Sequence, residues 1–159
     1  MYFINIKQLK KEIINKDFTE KDRFIYMFIY IMGFNIIFAL FFLSSYENAL
    51  PITMLDYFDN ISTVLITGAG TYYLFKANGG DDGEDFLGRY FSITWVVGIR
   101  LLLPYLILSS FIFIIMDAVF HVGEDILNIT ITVFFLLYTF LVYYCSYGHM
   151  VDVAKSENS

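Results

Sequence analysis

The chain has 159 residues, of which 58% are hydrophobic, 20% aromatic and only 16% charged, and its mean hydropathy is +0.62. An average soluble domain is roughly 45–50% apolar and roughly 25% charged, so a chain this poor in charge needs a solvent other than water over much of its surface. This argues against a soluble enzyme and a disordered tail; the single cysteine, Cys145, excludes an intrachain disulfide, and the net charge of -6 leaves no uniformly basic surface for nucleic acid.

In chain order, residues 1–18 read as a basic amphipathic helix, with Phe3, Ile6, Leu9, Ile13 and Ile14 opposite Lys7, Lys11 and Lys16. Such a helix lies in the headgroup layer and sets Lys7, Lys10, Lys11 and Lys16 on anionic lipid. Residues 19–159 read as a transmembrane domain. Thr19 followed by Asp22 forms a variant capping box that starts its first helix. Four apolar stretches, near 24–43, 55–75, 90–116 and 126–148, have the length of about 20 residues that crosses a hydrocarbon core of about 30 Å. Pro51 fits the first turn of the second. The runs are continuous, unlike the alternating strands of a barrel, and the first is too long for a cleavable signal peptide.

Orientation follows from the basic residues of the loops. Lys7, Lys10, Lys11, Lys16, Lys21 and Arg23 precede the first span, Lys76 and Arg89 lie in the loop 76–89, and Lys155 lies in the tail. The other two loops have none, which predicts that both termini are cytoplasmic. Tyr26, Tyr46, Tyr57, Tyr72, Tyr73, Tyr90, Trp95, Tyr143, Tyr144 and Tyr147 gather towards the span ends, as interfacial aromatics do.

Arg100 is the outstanding residue for chemistry. It stands ten residues into the third span, which places it ~15 Å deep, and intramembrane charges mark functional sites by default. Asp59 is the nearby acid, but helical side chains lean towards their own N-termini, so the two heads point apart. At matching depth stand neutral oxygens, those of Asn35, Thr67, Thr71, Tyr72, Tyr138 and Thr139. Arg100 is therefore either a structural brace that snorkels inward, or a positive site for an anion or for an acid of another subunit.

Two polar stripes run at helical spacing: Asp56, Asp59, Asn60, Thr63, Thr67, Gly70 and Thr71 on the second span, and Asp125, Asn128, Thr132, Thr139, Tyr143 and Ser146 on the fourth. Such stripes read first as packing seams and second as a water-lined path. Pro104 would kink the third helix one turn past Arg100.

The loop 76–89 holds Asp81, Asp82, Glu84 and Asp85 among glycines. It fails the EF-hand pattern, since Gly80 takes a ligand position and Arg89 replaces the bidentate glutamate. It reads instead as a flexible turn whose acids favour the next helix N-terminus, and as a candidate docking surface for a basic cytoplasmic partner. His121 and His149 belong to opposite faces, Asp117, His121, Glu124 and Asp125 read as loop polarity, and Cys145 has no evident base. No nucleophile elbow or phosphate-binding loop is present, so neither an enzyme, a cofactor nor a metal is expected.

The sequence thus predicts an all-α membrane protein of four transmembrane helices behind an interfacial helix, in a bacterial inner membrane. Its predicted role is non-enzymatic: an oligomeric subunit, effector or scaffold for cytoplasmic partners. The alternative is a channel or small transporter, with Arg100, Asn35, Asp59, Thr63, Thr67 and Thr71 along an anion-favouring path.

Overall fold

The computed structural model describes residues 2–48, 53–118 and 120–157, and the side chains among them other than 34, 37–48 and 157. Five α-helices follow in order: α1 (Ile6–Ile14), α2 (Glu20–Asn48), α3 (Met54–Ala77), α4 (Phe86–Ala118) and α5 (Glu124–Glu157). No strand occurs among the described residues.

Local chemistry sets most helix starts. The Asn5 side chain caps α1 by accepting from the Gln8 N–H at 3.2 Å. Before α2, Thr19 and Asp22 form the reciprocal bonds of the expected capping box, each 3.2 Å long. A second box starts α3: the Thr53 hydroxyl accepts from the Asp56 N–H at 3.3 Å, and the Asp56 carboxylate accepts from the Thr53 N–H at 2.6 Å. That helix therefore begins at Met54, and Pro51, expected in its first turn, lies outside the described residues. α4 continues through Pro104.

Two helices, Phe86–Ala118 and Glu124–Ser156, are long and apolar enough to cross a membrane. Of the four spans expected from sequence, these correspond to the third and fourth. α3 falls short by that measure because Asp56, Asp59 and Asn60 share its 24 residues with four threonines and serines. Past its first three turns α4 exposes apolar side chains on successive turns, Leu103 at 65%, Ile107 at 63% and Phe111 at 61%, and this surface needs an apolar surrounding.

The helices pack in a row, α2 on α4, α4 on α5 and α5 on α3, with α1 laid across α4 and α5. Among the described residues α2 and α3 form no packed pair, although they are neighbours in sequence. The core draws on all four helices of the row, towards the end where they meet α1. Ile6, Leu9 and Ile13 of α1 are buried in one cluster with Phe18, Tyr26, Leu74, Ile93, Val96, Val97, Met150 and Val153. Three residues of the expected α1 stripe, Ile6, Leu9 and Ile13, are thus covered by the rest of the chain, whereas Phe3 stays exposed at 44%. Burial against protein gives those side chains close-packed partners as well as removal from water.

Candidate functional site

Three groups of polar side chains carry the chemistry, and the first is the junction between α3 and α4. Asn78 ends α3 and is buried at 2% exposure. Its amide donates to the Glu84 carbonyl at 3.0 Å and accepts from Arg89 Nη1 at 2.9 Å. Arg89 is itself buried at 2%, in the first turn of α4. Gly79 takes φ +106°, a conformation suited to glycine, and opens a short 3-10 turn over Gly80–Asp82. The segment expected to be a flexible turn is thus pinned from within by Asn78 and Arg89.

Asp85 closes the junction. It accepts from the Gly88 N–H, the expected support for the α4 N-terminus, and its carboxylate meets Arg23 Nε at 2.8 Å. A Cβ on Gly88 would stand 2.6 Å from both Asp85 carboxylate oxygens, so this cap depends on a glycine there. Burial pushes the Asp85 carboxyl up, and the Arg23 and Arg89 charges oppose that rise. Glu84 pairs with Lys16 at 3.2 Å, and Arg23 also pairs with Glu20. Asp81 and Asp82 remain exposed. A cleft of about 410 Å³ beside them is lined by Lys16, Lys76, Asn78, Asp82, Glu84 and Lys155, among others. Of the four proposed docking acids, two are therefore engaged within the chain and two face outward.

The second group is a seam of hydroxyls. The Tyr90 hydroxyl lies 3.3 Å from that of Thr71 and 3.1 Å from that of Tyr143, so one phenol joins α3, α4 and α5. The rings of Tyr30 and Tyr90, with centroids 6.3 Å apart, bring in α2. Tyr143 lies directly over Gly70, where an added Cβ would stand 2.4 Å from two ring carbons. This is the close approach of α3 and α5 that the two polar stripes suggested. Thr132 and Ser146 of the α5 stripe are buried, whereas Asp125 and Asn128 are exposed.

The proposed path residues separate. Asp59, Thr63 and Thr67 are half-buried on α3, and Thr71 is bound to Tyr90. Asn35 is exposed on α2 and donates to the Ile31 carbonyl at 2.8 Å. Arg100 is exposed on α4 and forms no hydrogen bond or ion pair among the described residues. The oxygens expected around it are engaged elsewhere or turned away: Tyr138 donates to the Gly98 carbonyl, Thr139 to the Phe135 carbonyl, and Tyr72 is exposed.

The third group surrounds α1. Lys10 pairs with Asp152 at 2.7 Å, and Lys16 pairs with Glu84, while Lys7 and Lys11 stay exposed. Thus two of the four lysines assigned to lipid tie α1 to the rest of the chain. His149 lies within the fields of Lys10, Asp152 and Arg100. No three His, Cys, Asp or Glu side chains among the described residues come together to hold a metal ion.

Sequence reasoning missed the buried Arg89–Asn78 pair and the capping role of Thr53. The second had a signal, threonine followed three residues later by an acid; the first had none beyond proximity in the chain. The chain matches no protein-family model, no curated protein and no solved structure.

Proposed function

We propose that the chain is a small polytopic integral membrane protein without catalytic activity, an oligomeric subunit or effector that holds a cytoplasmic partner. In this reading all four spans cross a bacterial inner membrane, with both termini cytoplasmic. At 1.5 Å per residue α2 and α3 run about 43 Å and 36 Å, enough for a core of about 30 Å. The charged end gathers the ion pairs and the exposed acids of the loop 76–89, and this makes it the contact face in this reading.

The observation that carries the reading is the order of that end. α1, the loop 76–89 and the tail of α5 are tied together by Lys10–Asp152, Lys16–Glu84, Arg23–Asp85 and Arg89–Asn78. A platform built this way presents Asp81 and Asp82 on a fixed turn, next to a cleft rimmed by lysines. A partner with basic residues opposite the two acids would complement it. The path reading has less support, because Arg100 and Asn35 face outward while Thr63, Thr67 and Thr71 lie on the side of α3 that packs in the row.

The test is the double charge reversal Asp81→Lys with Asp82→Lys in the full chain. Recovery of a basic cytoplasmic partner should fall while Tm and oligomeric state stay unchanged. Ion flux across liposomes that disappears in Arg100→Leu would reject the scaffold in favour of a channel. A single-chain mass in native mass spectrometry would reject the oligomer.

A further inference from the structure

The cleft beside the loop 76–89 has a lining that the partner reading does not explain. Its volume of about 410 Å³ falls within the roughly 300–1,000 Å³ of small-molecule pockets. One wall is α5, where Ala154 and Lys155 follow Val151 by three and four residues and so share a face. The other wall is the end of α3 and the turn after it, with Lys76, Asn78 and Asp82. That wall is fixed from within. Asn78 is bound to Arg89 at 2.9 Å and to the Glu84 carbonyl at 3.0 Å, and a Cβ on Gly83 would collide with the Asn78 carbonyl oxygen. The turn is thus pressed onto the end of α3, and the cleft is formed before any ligand arrives.

Three ammonium groups and two carboxylates line this space. Lys16, from the turn after α1, and Glu84 pair with each other at 3.2 Å. The other three, Lys76, Lys155 and Asp82, are exposed and form no ion pair among the described residues. The Lys76 ammonium stands 5.8 Å over the Tyr72 ring, and Asp152, one turn before Lys155, is taken by Lys10 at 2.7 Å. A lysine in the last turn of α3 and another in the last turn of α5 suit the two helix dipoles. The dipoles do not require that both lysines line one cavity with an unpaired carboxylate on its rim. Two cations and one acid are complemented by a dianion that carries a hydrogen-bond donor.

We propose that the cleft binds a soluble phosphomonoester whose organic part carries hydroxyl groups. Lys76 and Lys155 hold the phosphate, which bears about −1.5 to −2 charges at pH 7 and offers three acceptor oxygens. Asp82 accepts from a hydroxyl of the organic part, and this separates such an ester from inorganic phosphate. Lys16 is a cation in reserve. Its pair with Glu84 is exposed on both sides, at 69% and 67%, so a phosphate exchanges places with Glu84 at little cost. The site shares a corner with the contact face described above, but it requires neither a partner nor a bilayer.

The test uses the full chain in detergent at low ionic strength, titrated by calorimetry with glucose 6-phosphate, glucose and inorganic phosphate. Glucose 6-phosphate should bind about tenfold more tightly than inorganic phosphate, and glucose should not bind. Lys76→Gln and Lys155→Gln should each weaken glucose 6-phosphate about tenfold, whereas Lys21→Gln, at the start of α2, should leave it unchanged. Glu84→Gln, which releases Lys16, should strengthen binding. Asp82→Asn removes a repulsive charge from both anions but an acceptor from the ester alone. It should therefore bring the ratio of the two affinities close to one.

Binding that survives Lys76→Gln combined with Lys155→Gln, at unchanged Tm, overturns the site. If Lys76→Gln fails to fold for want of its Tyr72 contact, Lys155→Gln decides, since it breaks no ion pair among the described residues. Equal affinity of the wild-type chain for glucose 6-phosphate and inorganic phosphate overturns the ester assignment. Phosphatidic acid in mixed micelles that displaces glucose 6-phosphate gives the same cations to a lipid headgroup and overturns the soluble source.

Discussion

Two glycines on α3 offer the same substitution with opposite outcomes. A Cβ on Gly70 would stand 2.4 Å from Cδ1 and Cγ of Tyr143 and 3.0 Å from its Cβ, whereas a Cβ on Gly68 meets nothing within 4 Å. Alanine is the better helix former in both places, by about 0.5–1 kcal/mol. At Gly70 that gain opposes an overpacking cost of about 1–3 kcal/mol. Moving the Tyr143 ring also strains its 3.1 Å contact with the Tyr90 hydroxyl, worth about 0.6 kcal/mol between membrane helices. The net expectation for Gly70→Ala is a loss of about 0.6–3.1 kcal/mol, and for Gly68→Ala a gain of about 0.5–1 kcal/mol. Unfolding in mixed micelles titrated with sodium dodecyl sulfate, followed by circular dichroism, resolves differences of this size. Equal effects of the two substitutions, or a stabilised Gly70→Ala, would show that α3 and α5 do not meet at this seam.

Other perturbations test the charged end. Leu9→Ala removes a fully buried side chain of α1 and should cost about 2–5 kcal/mol, with faster tryptic cleavage at Lys7, Lys10 and Lys11 as the readout. Thr53→Ala removes one arm of the α3 capping box and should lower stability by about 1 kcal/mol in the same unfolding assay. Asp85 gives a pH test. Its carboxyl is pushed up in the folded chain, so the native state binds the proton more tightly than the unfolded state. Its contribution to stability is then complete below the unfolded carboxylate pKa and declines as pH rises through the folded value. Asp85→Asn should flatten this decline in Tm between acid and neutral pH, and a decline of undiminished slope would assign it to another group.

The helices were legible because each rests on a strong local signal. Continuous apolar runs set the position of α4 and α5, Thr19 with Asp22 set the start of α2, and the 3.6-residue stripe of Ile6, Leu9 and Ile13 set α1. What covers a stripe is another matter. An amphipathic helix has the same pattern whether its apolar side rests on lipid or on protein, and only the approach of α4 and α5 shows that Ile6, Leu9 and Ile13 rest on protein. The polar stripes were similarly ambiguous between seam and path. Gly70 under Tyr143, and Tyr90 between Thr71 and Tyr143, show the seam, and no residue spacing alone reveals which tyrosine ring lies over which glycine.

Charge is where sequence and structure part most clearly, and the reason is physical. Counting lysines and arginines gives the side of a membrane on which a loop belongs, because that rule sums charges without regard to partners. Recognition depends on what is left after the partners are subtracted. Arg89 counts as one positive loop residue, yet it is buried and spends a donor on Asn78. Glu84 and Asp85 count as acidic surface, yet Lys16 and Arg23 engage both. Lys10 counts as a lipid contact, yet Asp152 takes one of its donors. The outward pattern is therefore Asp81 and Asp82 on the turn, Lys7 and Lys11 on α1, and Arg100 on α4. Among the described residues the charges left over at this end are therefore fewer than the count suggests, and they are separated by sign between the turn and α1.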